Sequence, residues 1–240
     1  MSPPLAGIRV LDLSRALAGP FCSQMLADMG ASVVKIEQPG GDHTRAWGPP
    51  FQSGESAYFL SVNRGKRSVV LDLRRPRGAE VLGRLVARSD VLLENFVPGT
   101  LDRLGFGYEA CRAIRPDLVY CSISGFGPVG PDRERAAYDQ IAQGLGGIMS
   151  LIGEPGGPPQ RVGIAITDIM AGMFAAYAVV AALYHRQATG QGQKVDTSLL
   201  EGQLALMSYQ AGNYFATGEP PARPGSQHPS IVPYGVYRAA

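Results

Sequence analysis

Five short apolar runs constrain the fold of this chain more than any other feature: IRVLDL (8–13), SVVKIE (32–37), RSVVLDL (67–73), DVLLEN (90–95) and LVYCSIS (118–124). Each is the length of a buried strand and rich in β-branched or other aliphatic residues. Between them, FCSQMLADMG (21–30) has helical spacing and ends at a glycine, and RGAEVLGRLVARS (77–89) has it again. Pro76 suits the first turn of the second helix, where a missing N–H costs nothing. Alternation of strand and helix predicts an α/β chain, a Rossmann-like parallel sheet with helices on both faces. The abundance of glycine (31) and proline (19) also argues against a helical bundle.

After residue 135 the pattern turns helical, through AAYDQIAQGLGGIMSLIG, the apolar segment 163–185 and TSLLEGQLALMSYQAGNYFATG (197–218). Residues 1–217 are read as one large domain. GEPPARPGSQHPS is a proline-rich connection, so 218–240 is read as a linker and the start of a truncated second domain. The closing SIVPYGVYRAA resembles the beginning of a strand, which suggests a piece of a longer protein.

Net charge +2 without a long basic run gives no support for nucleic-acid binding. Cys22, Cys111 and Cys121 are too far apart for a metal pair or a disulfide framework, which favours a reducing cytoplasm. His43, His185 and His228 lack metal-ligand spacing, so no metal is expected. The N-terminus lacks the basic-then-apolar pattern of a signal peptide. In GIAITDIMAGMFAAYAVVAALYH (163–185) the uncharged run after Asp168 is about 16 residues, short of the roughly 20 that span a bilayer. A buried core helix, and no membrane, is the expectation.

That helix poses the chemical question. Asp168 is its single carboxylate, and an unpaired buried carboxylate is costly. It is solvated, capped by backbone or kept for chemistry, and Thr167 or Asp168 is also a candidate helix N-cap. Other motifs are weaker. GFGPVG (125–130) matches G-x-G-x-x-G, but Pro128, Pro131 and the aperiodic DRER argue for a plain turn rather than a dinucleotide loop. Glu37 ends the second strand, as a ribose-binding acid would, but its loop holds one glycine, and a solvated strand end is the commoner reading. Neither G-x-x-x-x-G-K-[ST] nor G-x-S-x-G occurs. ENFVPGTLDRLGFG (94–107) starts where open α/β sheets bind ligands. Its amide (Asn95), ring (Phe96) and guanidinium (Arg103) suit an adenine nucleotide bearing phosphates, or else make an ordinary loop with a capping Asn.

With these residues in place, the sequence resembles the family III CoA-transferases, the CaiB/BaiF family. The resemblance runs from PLAGIRVLDLSRALAGPFCSQMLADMGASVVKIEQPGGD through NRGKRSVVLDL, SDVLLENFVPGTLDRLGFGYE and SGFGPVGP to GIAITDIMAG and ATGQGQKVD. It implies that Asp168 is a nucleophile that attacks an acyl-CoA thioester, with small neighbours (Gly163, Ala165, Ala171, Gly172) and a helix start to stabilise its anion. It implies CoA contacts at Arg15, Leu17, Ala18, Leu71, Asp72, Leu73, Arg74, Asn95, Phe96, Arg103 and Tyr138. Formyl-CoA transferase has glutamine in place of Leu17 and arginine in place of Gln38, which argues against formate and oxalate; a lysine contact of that enzyme is matched here by Ala136. The 2-methylacyl-CoA racemases share the fold but place a catalytic histidine at Tyr138, and tyrosine is a poor base near neutrality. A non-catalytic CoA-binding protein is the third reading, disfavoured by Asp168. The implied partners are an acyl-CoA and a small carboxylic acid, with no cofactor beyond CoA itself. The implied assembly is an interlocked homodimer of the full-length protein. ITDIMAG and HPSIVPYGVYR resemble members using succinyl-CoA and short dicarboxylates. Arg15, Arg45 and Arg161 are candidates for the second carboxylate.

Overall fold

The computed structural model describes residues 2–239. In chain order the elements are β1 (Arg9–Asp12), α1 (Ala18–Asp28), β2 (Ser32–Glu37), a 3₁₀ turn (His43–Ala46), β3 (Phe51–Gln52), β4 (Glu55–Ser56), α2 (Ala57–Ser61), β5 (Lys66–Val70), α3 (Pro76–Val86) and β6 (Val91–Glu94). They continue with α4 (Thr100–Arg103), α5 (Tyr108–Ile114), β7 (Val119–Ser124), α6 (Asp139–Leu145), α7 (Ile148–Leu151), α8 (Ile166–Thr189), β8 (Lys194–Ser198) and α9 (Leu199–Thr217).

Six parallel strands form one sheet in the order β5-β2-β1-β6-β7-β8, and β3 with β4 makes a separate short hairpin. The five expected strands all form, and Pro76 does begin α3. The sixth strand, β8, lies outside the expectation. KVDTS holds one aliphatic residue and pairs only with β7 at the sheet edge, so it needs no apolar run. Its formation moves the start of the last helix to Leu199. The strand expected near the chain end is absent from residues 230–239, where no sheet edge pairs with the backbone.

Alternation along each central strand explains why both faces are covered. Val10, Val91, Leu93, Val119 and Cys121 pack beneath α1 and α8, while Leu11, Leu92 and Tyr120 turn the other way onto α3, α4 and α5. This is the period-two signature of a strand buried on both sides.

The helix α8 is long and apolar enough to cross a membrane by length and composition, with mean hydropathy 1.8 in its most apolar window. The expectation of a buried core helix needs correcting to one face. Ala171, Gly172, Ala175, Ala176 and Val179 are buried, whereas Tyr177 and Tyr184 are 75% and 76% exposed. Gly172 is where α8 meets α1: a Cβ there would stand 2.6 Å from the Ala18 carbonyl oxygen and 3.2 Å from the Phe21 ring. Gly172→Val is expected to force these helices apart and to cost about 1–3 kcal/mol of stability, as measured by chemical denaturation. An unchanged midpoint would mean that the contact carries no weight.

Candidate functional site

The sheet winds outward in two directions from its centre: β1 leads to β2 and β5 on one side, and β6 leads to β7 and β8 on the other. In open α/β sheets the crevice at such a reversal, outside the carboxyl ends of the strands, is where ligands bind. Here that crevice lies between the loop after β1 with the head of α1, which carry Arg15 and Ala18, and the loop after β6, which carries Asn95 and Phe96. Asn95 ties them together, accepting from the Arg15 N–H at 2.8 Å and donating to the Arg15 carbonyl at 2.8 Å. Its amide oxygen and one amide N–H thus bond the Arg15 backbone and tie the two loops, while the residue still lines the crevice.

Beneath the loops lies a buried charge network. Asp12 accepts hydrogen bonds from the Ser14 N–H and from the hydroxyls of Ser14 and Ser23. Lys66 pairs with Asp12 at 3.3 Å and donates to the Pro20 carbonyl, while Lys35 donates to the Ser14 carbonyl and pairs with Asp42 at 2.9 Å. Both ends of the segment from Ser14 to Pro20 are thus held by lysines inside the protein.

Two cavities open on the crevice and share Arg15 and Phe96 as walls. The larger, about 370 Å³, brings together Leu71, Asp72, Leu73, Arg74 and Arg103, with Gln38 beside them. Asp72 holds Arg74 through an ion pair at 2.9 Å, and Arg103 donates to the Thr100 hydroxyl at 3.1 Å. Arg15 lies over the Phe96 ring, 5.0 Å from its centroid, and among the described residues has no carboxylate partner. An open guanidinium beside two others suits a polyphosphate. Leu17 lines neither cavity and supplies the backbone acceptor that starts α1.

The smaller cavity, about 310 Å³, contains Asp168, Ala18, Asn95, Ala136 and Tyr138. Asp168 sits in the first turn of α8, half-buried, its exposed edge meeting this cavity. Burial, then the neighbouring charge of Asp139, pushes its carboxyl up to about 7, and the Ala18 N–H offsets this only in part. Burial and Asp139 outweigh that backbone N–H, so near pH 7 the carboxyl is divided between acid and anion. Nor is Asp168 or Thr167 the cap of its helix. Asp139, at the start of α6, accepts from the Thr167 N–H at 2.9 Å and caps α8 from outside.

Other expectations change as well. Glu37 is buried, not a solvated strand end. Burial opposes its ionisation, but hydrogen bonds from Arg45, Ser68 and the Asp42 N–H outweigh it and hold the carboxyl down to about 2. Arg45 is consumed by Glu37 and Glu55 and covers the Phe59 ring, and Arg161 bonds the Val162 carbonyl away from the cavities. Of the three cations considered for a second carboxylate, Arg15 alone lines the Asp168 cavity, where His43 and Arg135 join it. Residues 125–138 contain no helix, and Gly127 and Gly130 take positive φ, so GFGPVG is a turn. Asp139, His43 and Arg135 escaped sequence reading. The Asp139–Thr167 bond spans 28 positions, and no local pattern announces it.

The model of CoA-transferase family III matches residues 5–240. The chain is 50% identical to a succinate–glutarate CoA-transferase of Agrobacterium fabrum, covering 99% of this chain and 61% of the relative. It is 45% identical to the succinyl-CoA:glutarate CoA-transferase of Homo sapiens, covering 98% of this chain and 54% of the relative. The crystal structure of a CaiB/BaiF family protein from Brucella suis superposes with a TM-score of 0.94 at 48% identity, covering 98% of this chain and 63% of that one. The chain thus spans between half and two-thirds of the length of these relatives. Sequence, fold and crevice together place it: the chain belongs to CoA-transferase family III.

Proposed function

We propose that the protein containing this chain moves CoA from succinyl-CoA to a small dicarboxylic acid, with Asp168 as nucleophile. The observation that carries the reading is the Asp168 carboxyl, opening on one cavity whose walls Arg15 and Phe96 also bound an arginine-lined second cavity. The names of the relatives, succinate or succinyl-CoA with glutarate, supply the substrate class. CoA binds with its phosphates toward Arg15, Arg74 and Arg103, and its thioester reaches Asp168.

In the ionised form, an Asp168 oxygen adds to the thioester carbonyl and expels CoA thiolate, leaving a succinyl–aspartyl anhydride. The thiolate then attacks the aspartyl carbonyl and releases succinate, giving an aspartyl-CoA thioester. The acceptor carboxylate attacks that carbonyl, expels CoA thiolate and forms a second anhydride. The thiolate takes the acceptor's acyl group from this anhydride and restores the Asp168 carboxylate. No net proton or electron is consumed, and each step exchanges one acyl bond for another. A dicarboxylate also needs a cation for its far end, and Arg15, His43 and Arg135 stand on the cavity wall.

Incubating the full-length protein with succinyl-CoA and quenching with hydroxylamine tests the reading. A hydroxamate on the peptide containing Asp168, absent from Asp168→Asn, is the expected result. No adduct, with exchange of the α-proton of a 2-methylacyl-CoA into deuterated water, would replace it by the racemase chemistry.

A further inference from the structure

A second carboxylate, unused in the steps above, stands at the foot of the nucleophile. Asp139 Oδ1 accepts hydrogen bonds from both the N–H and the hydroxyl of Thr167, each at 2.9 Å. Its Oδ2 accepts from Gln143 Nε2 at 2.7 Å, and Gln143 Oε1 in turn accepts from the Val162 N–H at 2.8 Å. Gln143 Nε2 also donates to the Ile164 carbonyl at 3.3 Å, so the chain entering α8 is fastened to α6 at three points, Val162, Ile164 and Thr167. Ala165, which flanks α8 in the chain, offers no side-chain cap. Among the described residues Asp139 has no ion-pair partner within 4.0 Å, so its charge is not cancelled locally. A serine, threonine or asparagine would cap a helix as well. An aspartate adds a negative charge, bonded to Thr167, the chain neighbour of the nucleophile.

We propose that Asp139 is the positioning residue of this site: its carboxylate fixes the head of α8 and is the fixed negative charge against which Asp168 must ionise. The inference rests on Asp168 being the nucleophile. The other ionisable groups around Asp168 do not supply that charge. Tyr58 comes from α2, and Arg15, His43, Arg135 and Tyr138 share the cavity wall. Among the elements packed on α8, Glu201 of α9 is held by the Ser198 hydroxyl, α1 brings Cys22, and β7 and β8 bring Cys121 and Asp196. After burial, Asp139 is the stronger influence that raises Asp168. The consequence for chemistry is direct, because a more basic carboxylate is the stronger nucleophile once its proton has left.

Titration of the full-length protein labelled with ¹³Cγ-aspartate reads the effect, with Asp168 assigned from its missing signal in Asp168→Asn. The wild-type Asp168 signal is expected to turn near pH 7. Asp139→Asn keeps an oxygen for Thr167 and removes the charge, and the midpoint is expected to fall by at least about one pH unit, a tenfold change in ionisation. A purely structural cap would change stability and leave the midpoint in place, and an unmoved midpoint overturns the proposal. If Asp139→Asn does not fold, the wild type decides. Its Asp139 signal should carry an inflection at the Asp168 midpoint that vanishes in Asp168→Asn, and its absence overturns the proposal too. Ionisation is read without turnover, so a failed hydroxylamine trap leaves this result standing by itself.

Discussion

Asp168→Ala is expected to lower CoA transfer from succinyl-CoA in the full-length protein by at least about 10³-fold, the scale of losing a covalent nucleophile. No nearby group can substitute for it. Both Asp139 oxygens are engaged by Thr167 and Gln143, and the Glu37 carboxyl is occupied by Arg45 and Ser68. Affinity for CoA should change little, because Arg74, Arg103 and Leu73 line the other cavity. The expected signature is therefore a collapse of kcat with binding retained, read by initial rates and by calorimetric titration of CoA. Transfer surviving within tenfold of wild type would remove Asp168 from the chemistry. The same site has a thermodynamic mark. The folded carboxyl, raised to about 7, holds its proton over a range where the unfolded one, at 3.8, has lost it. Asp168 therefore lowers stability progressively as pH rises from about 4 to 7. Asp168→Asn should unfold at higher denaturant than wild type at pH 8, and that advantage should disappear below pH 4.

The sheet was legible from sequence because its centre obeys a local rule. Strands buried on both faces must be apolar throughout, and the runs at 8–13 and 90–95 advertise that without knowledge of their partners. The polar edge strand β8 obeys no such rule: it exists because β7 offers it an open edge. The site divides in the same way. Asp168 stands out as a charge inside an apolar segment, and its neighbourhood had to be supplied by family resemblance. Glu37 and Arg45 show the converse: each looks like a surface residue until folding brings them together across a turn. Asp139 is the clearest loss. It reads as an ordinary acid at the start of a helix, and its function as the cap of another helix exists only in three dimensions. What a residue is near in sequence was recoverable; what it is charged against was not.

Asp12→Ala carries the largest stability effect to be expected, about 3–5 kcal/mol. Asp12 is fully buried at the end of β1, and its partner Lys66 is buried as well. Burial by itself would raise the Asp12 carboxyl, but the charges of Lys66 and Lys35 and the hydroxyls of Ser14 and Ser23 bring it down to about 2. Lys66 shows the complementary strain, since burial lowers its ammonium to about 8 despite Asp12. Removing Asp12 strands that ammonium near Lys35 with only neutral acceptors, the Pro20 carbonyl and Asn63. It also takes away the shared acceptor of Ser14 and Ser23 and so loosens the segment that leads to Ala18, whose N–H faces Asp168. Activity should therefore fall along with stability, although Asp12 itself lies outside both cavities. The pH dependence separates this ionic account from simple loss of packing. A carboxyl depressed below its unfolded value contributes fully above about pH 4, and its contribution fades as pH falls toward 2. Denaturant titrations of wild type and variant should thus converge by about 2 kcal/mol between pH 7 and pH 2. A gap that stays constant over that range would show that Asp12 matters through its shape, leaving its charge without a part in holding the loop.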